Sequence, residues 1–247
     1  PGSASAILRT LEAFGLTWDG EVEYQSRRLE RYVSALEALR ARGLTFECSC
    51  TRRELGANTE RGYPGTCRSG PRHPGPTATR FRVPDERTVE FVDRFQGACR
   101  FDLAAAGDVI IRRRDGIFAY QLAVVVDDAD QGITDVVRGA DLLDSTPRQL
   151  FLFEALGFAP PRYAHVPLLC GPDGNRLAKR HGALSIRALR ERGVRAETIV
   201  GAIATVSGLH DRAEPIAAHE LIARFRLEDV PKEPVIVDEE WIGGLTG

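Results

Sequence analysis

The sequence contains no methionine, and only two of its 33 basic residues are lysines, Lys179 and Lys232. Arginine serves nearly everywhere else. A lysine therefore marks a place where a compact, rotatable ammonium suits better than a planar fork. Positive charge is not in excess: the net charge is −2. That excludes a general basic field for nucleic acid and leaves such contact to local arginine patches. No apolar run reaches about 18 residues, so no transmembrane helix is predicted. No signal-peptide pattern opens the chain, and a cytoplasmic location is expected. Cysteine is scarce, at five residues, yet Cys48, Cys50 and Cys67 fall close together. In a reducing compartment such a group reads as a metal site before a disulfide.

What is present is an ordinary globular composition, 43% apolar and 28% charged over 247 residues. A packed core in one large domain or two small ones follows. Leu29, Tyr32, Val33, Leu36 and Leu39 recur at helical spacing, with Ser26 as the predicted start and Gly43 as the stop. An earlier helix carries Ile7, Leu8, Leu11 and Phe14, with Ser3 or Ser5 as its cap. Strands are predicted in LTFECSC, TRFRV, VEFVDRF, DVIIRRRDG and ITDVV, and a short one over 166–169. Strands alternating with helices imply an α/β domain with a mostly parallel sheet. Residues 230–247 are rich in proline and glycine and read as irregular.

Four stretches carry chemistry. The first, residues 44–76, is turn-rich and poor in core residues. Cys48, Cys50 and Cys67 supply three soft ligands, and a structural zinc site needs four. Spacing leaves the fourth open between His73, the ordinary choice, and Tyr63, the unusual one. A metal would stabilise a segment that burial alone cannot. The second is Arg112, Arg113 and Arg114, candidate phosphate contacts for which a solvated face is the plainer reading. The third spans 117–143. An apolar run ends in Asp127 and Asp128, too acidic to bury unpaired. Arg138 stands where a strand exits before a glycine, placed to grip a carboxylate, and the Tyr120 phenol can donate to the same ligand. The fourth is 163–184, where a strand, a Pro-Asp-Gly turn and the basic segment RLAKR precede a helix. Lys179 there offers a point charge to a polyphosphate.

FAYQLAVVVDD, DVVRGADLLDSTPRQ, HVPLL and RLAKR occur here in the order seen in class I glutamyl-tRNA synthetases, which this sequence resembles over about residues 1–210. RLAKR is similar to their KMSKS loop, with Ala178 in place of the central serine. The CSC…YPGTC segment resembles the zinc-binding insert of glutamyl-Q tRNA(Asp) synthetases, the short paralogues. The resemblance implies an α/β, Rossmann-type class I catalytic domain whose N-terminal strand and HIGH-type signature lie upstream of Pro1. This stretch alone is accordingly expected to be incomplete.

By the same resemblance, residues 1–43 are the remainder of the Rossmann-type half and 44–76 the zinc-binding insert. Residues 77–184 are the catalytic part with the glutamate site and the KMSKS-like loop. Residues 185–247 form a helical C-terminal region with no anticodon-binding domain. Lys179 would stabilise charge on ATP, used with magnesium. Tyr120 and Arg138 would bind L-glutamate. Cys48, Cys50, Tyr63 and Cys67 would hold one structural zinc. The implied activity is formation of glutamyl-adenylate and transfer to the queuosine base of tRNA(Asp) by a monomeric ligase. The alternatives are a shortened glutamyl-tRNA synthetase charging tRNA(Glu) and a non-catalytic, zinc-containing tRNA-binding module.

Overall fold

A computed structural model describes residues 2–55, 62–177 and 185–246. Lys179, with Ala178 and Arg180, lies outside the described residues. The chain divides into two compact units, residues 22–165 and a second made of 1–21 with 166–247.

Helix α1 (Ser3–Ala13) begins directly after Gly2, so Ser3 and Ser5 lie within the helix rather than capping it. A single-turn 3-10 segment, Gln25–Arg27, precedes α2 (Leu29–Ala41), which therefore starts three residues later than the serine signal predicts. Helix α2 buries Tyr32, Leu36 and Leu39 of the apolar stripe that its periodicity foretells, together with Ala35, whereas Leu29 and Val33 of that stripe are exposed. Strand β1 (Thr45–Cys48) runs into the cysteine-rich segment, which holds the short α3 (Arg52–Leu55). Then follow β2 (Ala78–Phe81), the hairpin β3 (Thr88–Asp93) and β4 (Gly97–Asp102), the short α4 (Leu103–Ala106) and β5 (Val109–Arg112). The site-bearing elements come next: α5 (Tyr120–Asp130), β6 (Asp135–Gly139), α6 (Thr146–Leu156) and β7 (Arg162–Val166). The second unit adds β8 (Leu169–Cys170), α7 (Ile186–Glu191), α8 (Ala196–Val206), α9 (Ala218–Leu221), β9 (Val235–Ile236) and α10 (Glu239–Thr246).

The fold is mixed α/β, but the mostly parallel sheet is not what forms. Among the described residues β1, β2 and β5 make an antiparallel three-stranded sheet, and β3 pairs with β4 antiparallel. β8 and β9 pair in parallel, while β6 lies beside β7. The β3–β4 connection is a tight turn, which only antiparallel strands can use. The region 230–247 also departs from its irregular reading, because Val235 and Ile236 find strand partners in Leu169 and Cys170. No helix among the described residues is long and apolar enough to cross a membrane.

The core of residues 22–165 packs α2, α5 and α6 around Leu36, Leu39, Phe81, Leu122, Val125, Leu152 and Phe153. Asp127 sits at its edge, buried, and is paired as its acidity requires. It accepts hydrogen bonds from Arg28 Nε (2.8 Å), Gln25 Nε2 (3.0 Å) and the Tyr32 hydroxyl (2.8 Å). These bonds fix α5, and therefore Tyr120 at its first turn, against α2.

Candidate functional site

Strand β6 ends at Arg138-Gly139, and the Arg138 side chain reaches the first turn of α6. Its Nε donates to His165 Nε2 (3.0 Å) and its Nη2 to Thr146 Oγ1 and Gln149 Oε1 (both 2.8 Å). All three acceptors are neutral, and among the described residues no carboxylate forms a salt bridge with Arg138. Its charge is thus held in place without being neutralised by contact. Nη1 takes part in none of these bonds. The guanidinium also stands 5.0 Å from the centre of the Tyr163 ring.

Tyr120, half exposed at the N-terminal turn of α5, lies near the same place. The buried Tyr163 phenol feels both Arg138 and Tyr120, together with Asp128. Burial raises Tyr163 well above the ordinary tyrosine range, with Arg138 opposing. Its hydroxyl has no hydrogen-bond partner among the described residues. Asp128 is pushed up to about 6, chiefly by burial; Arg138 pulls it down and Asp127 pushes it up. The two glutamate candidates, Tyr120 and Arg138, are therefore brought to one neighbourhood.

The second cluster is in the cysteine-rich segment. The sulfurs of Cys48, Cys50 and Cys67 all lie within 4.8 Å of one another, and all three cysteines are free. The Tyr63 hydroxyl is 3.4 Å from Cys48 Sγ and 3.5 Å from Cys50 Sγ. Tetrahedral zinc with bonds of about 2.3 Å places its sulfurs about 3.8 Å apart, so three thiols and one phenol at these separations fit such an ion. His73 is elsewhere: its ring is half exposed and bonds to Glu54 at 2.6 Å. Burial would raise the Cys67 thiol, but hydrogen bonds from Tyr63, Ser49, Cys50 and Arg72 bring it down to about 6. Burial also raises the Tyr63 phenol, whose hydrogen bonds to the three thiols push the same way.

Arginines clamp this segment to the sheet. Arg68 donates to both oxygens of the buried Asp108 carboxylate, Nε at 2.7 Å and Nη2 at 2.8 Å. Arg80 stacks over the Tyr63 ring at 3.7 Å and donates to the Asp108 carbonyl. Arg114 donates to the carbonyls of Ser49 and Cys50. Arg112 and Arg113 bond locally, to the Gly116 carbonyl and to Asp115. The triple-arginine run thus builds structure where phosphate contact is the bolder sequence reading. Gly107, at φ +67, permits a close approach: a Cβ there would collide with the Tyr63 backbone nitrogen.

Sequence reading assigns no role to Asp93, Thr146, Gln149 or His165, although HVPLL contains the histidine. The arginine at a strand exit is a signal in itself, but its partners lie on two other elements, α6 and β7.

A family model described as tRNA synthetases class I (E and Q), catalytic domain, matches residues 1–243. The chain is similar to a glutamyl-Q tRNA(Asp) synthetase of Symbiobacterium thermophilum, 44% identical across all of this chain and 84% of that protein. It is 51% identical to one from Ectopseudomonas mendocina over 78% of this chain and 69% of the other. Among solved structures it is similar to a glutamate tRNA ligase from Elizabethkingia meningosepticum, with a TM-score of 0.79 at 23% identity. That match covers 99% of this chain and 59% of the other. A glutamate-tRNA synthetase from Elizabethkingia anophelis gives 0.80, again at 23% identity, over 60% of its own length. At this identity the solved structures speak for the fold alone, and this chain spans about three-fifths of their length. The match over nearly the whole chain places it in a known family: it belongs to the tRNA synthetases class I (E and Q), catalytic domain, and is a ligase of the aminoacyl-tRNA synthetase type.

Proposed function

We propose that the protein activates L-glutamate with ATP to glutamyl-adenylate and passes the glutamyl group to the queuosine base of tRNA(Asp). One observation carries the glutamate reading. Arg138 is held by neutral acceptors and, among the described residues, has no carboxylate partner, and it stands near Tyr120. That arrangement suits an anionic amino-acid ligand. The tRNA reading rests on the similarity to glutamyl-Q tRNA(Asp) synthetases.

In this reading Tyr120 and Arg138 bind glutamate, Arg138 through a carboxylate. ATP enters with magnesium, and Lys179 meets its phosphates. Phosphoryl-centre displacement of this kind depends on positioning and electrostatics more than on covalent help. Cys48, Cys50, Tyr63 and Cys67 hold a structural zinc, since four protein ligands leave no open coordination position for chemistry. Zinc would supply folding energy to a segment whose buried apolar cluster, among the described residues, is Phe46, Cys48 and Cys67. A single chain suffices.

The test is ATP–pyrophosphate exchange driven by glutamate, with and without tRNA, on the full-length protein. Exchange without tRNA supports the reading. Exchange strictly dependent on tRNA would favour an ordinary synthetase charging tRNA(Glu). No exchange under either condition would overturn the enzymatic reading in favour of a tRNA-binding module.

A further inference from the structure

We infer that Asp93 and His165 form a buried positioning pair that fixes Arg138 in its ligand-binding pose, by keeping His165 neutral with its proton on Nδ1. The inference deepens the glutamate reading above and rests on it. An arginine nitrogen donates and never accepts. His165 Nε2, 3.0 Å from Arg138 Nε, must therefore be the bare, accepting nitrogen. The ring proton is then on Nδ1, 2.6 Å from Asp93 Oδ2, where it is donated to a carboxylate. Both residues are fully buried, so no water competes for either bond.

The carboxylate itself cannot turn. Asp93 Oδ1 accepts three backbone N–H groups, from Phe95 (2.9 Å), Gln96 (2.8 Å) and His165 (3.1 Å). The direction of the amide bonds outward from Arg138 is set in the same way. Gln149 accepts from the guanidinium with Oε1, so its Nε2 donates to Gln121 Oε1 (2.8 Å), and Gln121 Nε2 donates to Ser145 Oγ (3.2 Å). That chain passes through Gln121, the residue after Tyr120 on α5, and ends at Ser145. The groups facing His165 are Asp93 from the β3–β4 turn, Arg138 from β6, Asp141 from the segment after it, and Tyr163, whose ring stacks on it at 5.8 Å. Burial lowers the imidazole, Asp93 raises it and Arg138 lowers it; the balance falls below the ordinary histidine range. A neutral ring is what the bonding pattern demands. An imidazolium, or the other neutral form, would set an N–H against the Arg138 Nε–H.

Asp93→Asn tests this with nearly the same shape. Because the Oδ1 position must still accept three N–H groups, the new amide nitrogen takes the Oδ2 place and donates to His165 Nδ1. The ring proton is forced to Nε2, facing Arg138. Nitrogen-15 NMR of labelled full-length protein should show neutral His165 protonated on Nδ1 in the wild type and on Nε2 in the variant. The slowly exchanging Arg138 Nε–H signal should be lost. In ATP–pyrophosphate exchange the KM for glutamate should rise about 10- to 100-fold, the size of one buried hydrogen bond to a charged group broken and its donor left opposed. The KM for ATP should not change, a split that general loosening of the fold would not give.

An unchanged glutamate KM, or wild-type His165 protonated on Nε2 or doubly protonated at neutral pH, would overturn the inference. If Asp93→Asn fails to fold, the wild-type tautomer measurement decides the matter. Wild-type protein that shows the Nδ1 proton and the protected Arg138 signal but no glutamate-dependent exchange would overturn the glutamate reading and leave the pair standing.

Discussion

Replacing Arg68 by methionine keeps most of the stem and removes the guanidinium. Arg68 makes two bonds to the Asp108 carboxylate, one to the Val83 carbonyl (2.7 Å) and an ion pair with the exposed Asp85. The Asp108 side chain is fully buried, and after the change its oxygens keep only the Val83 N–H at 2.8 Å. Arg80 is bound through Nη1 to the Asp108 main-chain oxygen rather than to its carboxylate. Breaking a buried ion pair by removing one partner costs about 3–5 kcal/mol. For a chain of this size each 1 kcal/mol lowers the melting temperature by about 2–4 °C. Calorimetry should therefore show a fall of about 6–20 °C for the unit containing residues 22–165. Limited proteolysis should open residues 44–76 first. Adding Asp108→Asn removes the stranded charge and should restore most of the loss, whereas a loss caused through displaced thiols would not be restored. Melting of Arg68→Met within about 2 °C of wild type, or a double variant worse than the single one, would refute this account of how the insert is held.

Cys67→Ser should lower the zinc found by elemental analysis below the single equivalent expected of the wild type, and make the wild type's loss of thermal stability under a chelator disappear in the variant. Arg138→Lys keeps the charge but loses the fork. It gives up at least two charge-assisted bonds of about 1.5–3 kcal/mol each, so kcat/KM for glutamate should fall about 100-fold or more. Asp128→Asn should raise thermal stability at pH 7.5, by about half as much at pH 5, and leave it nearly unchanged at about pH 3.5. Burial holds the folded carboxyl near 6 against about 4 when unfolded, so folding is favoured by protonation and stability falls as pH rises through that window; asparagine stays neutral throughout. A Tm gain that is the same at all three pH values would contradict that reading of Asp128.

Local chemistry is what the sequence made legible. The stripe on α2, the thiol segment and the arginine before Gly139 are each set by neighbours within a few residues. The Asp127-Asp128 pair announced its own need for partners, and Arg28, Gln25 and Tyr32 supply them for Asp127. What stayed hidden depends on distant pairing. Asp93 and His165 meet across 72 residues, and nothing in either neighbourhood marks the contact. The short strand at Val235–Ile236 exists because Leu169 and Cys170 lie beside it, which no local propensity reveals. The serines that looked like helix starts were displaced by a 3-10 turn before α2 and by the start of α1 directly after Gly2. Between Tyr63 and His73, spacing was silent; tertiary structure brings the phenol to the sulfurs.

The central claim is a glutamyl transfer to a modified base. It is tested most directly by incubating the full-length protein with labelled glutamate, ATP, magnesium and tRNA(Asp), with and without queuosine. The account predicts label on the queuosine-containing tRNA(Asp) alone, released by mild alkali as expected of an ester. Label on the 3′ end of tRNA(Glu), or equal labelling of tRNA(Asp) lacking queuosine, would contradict it.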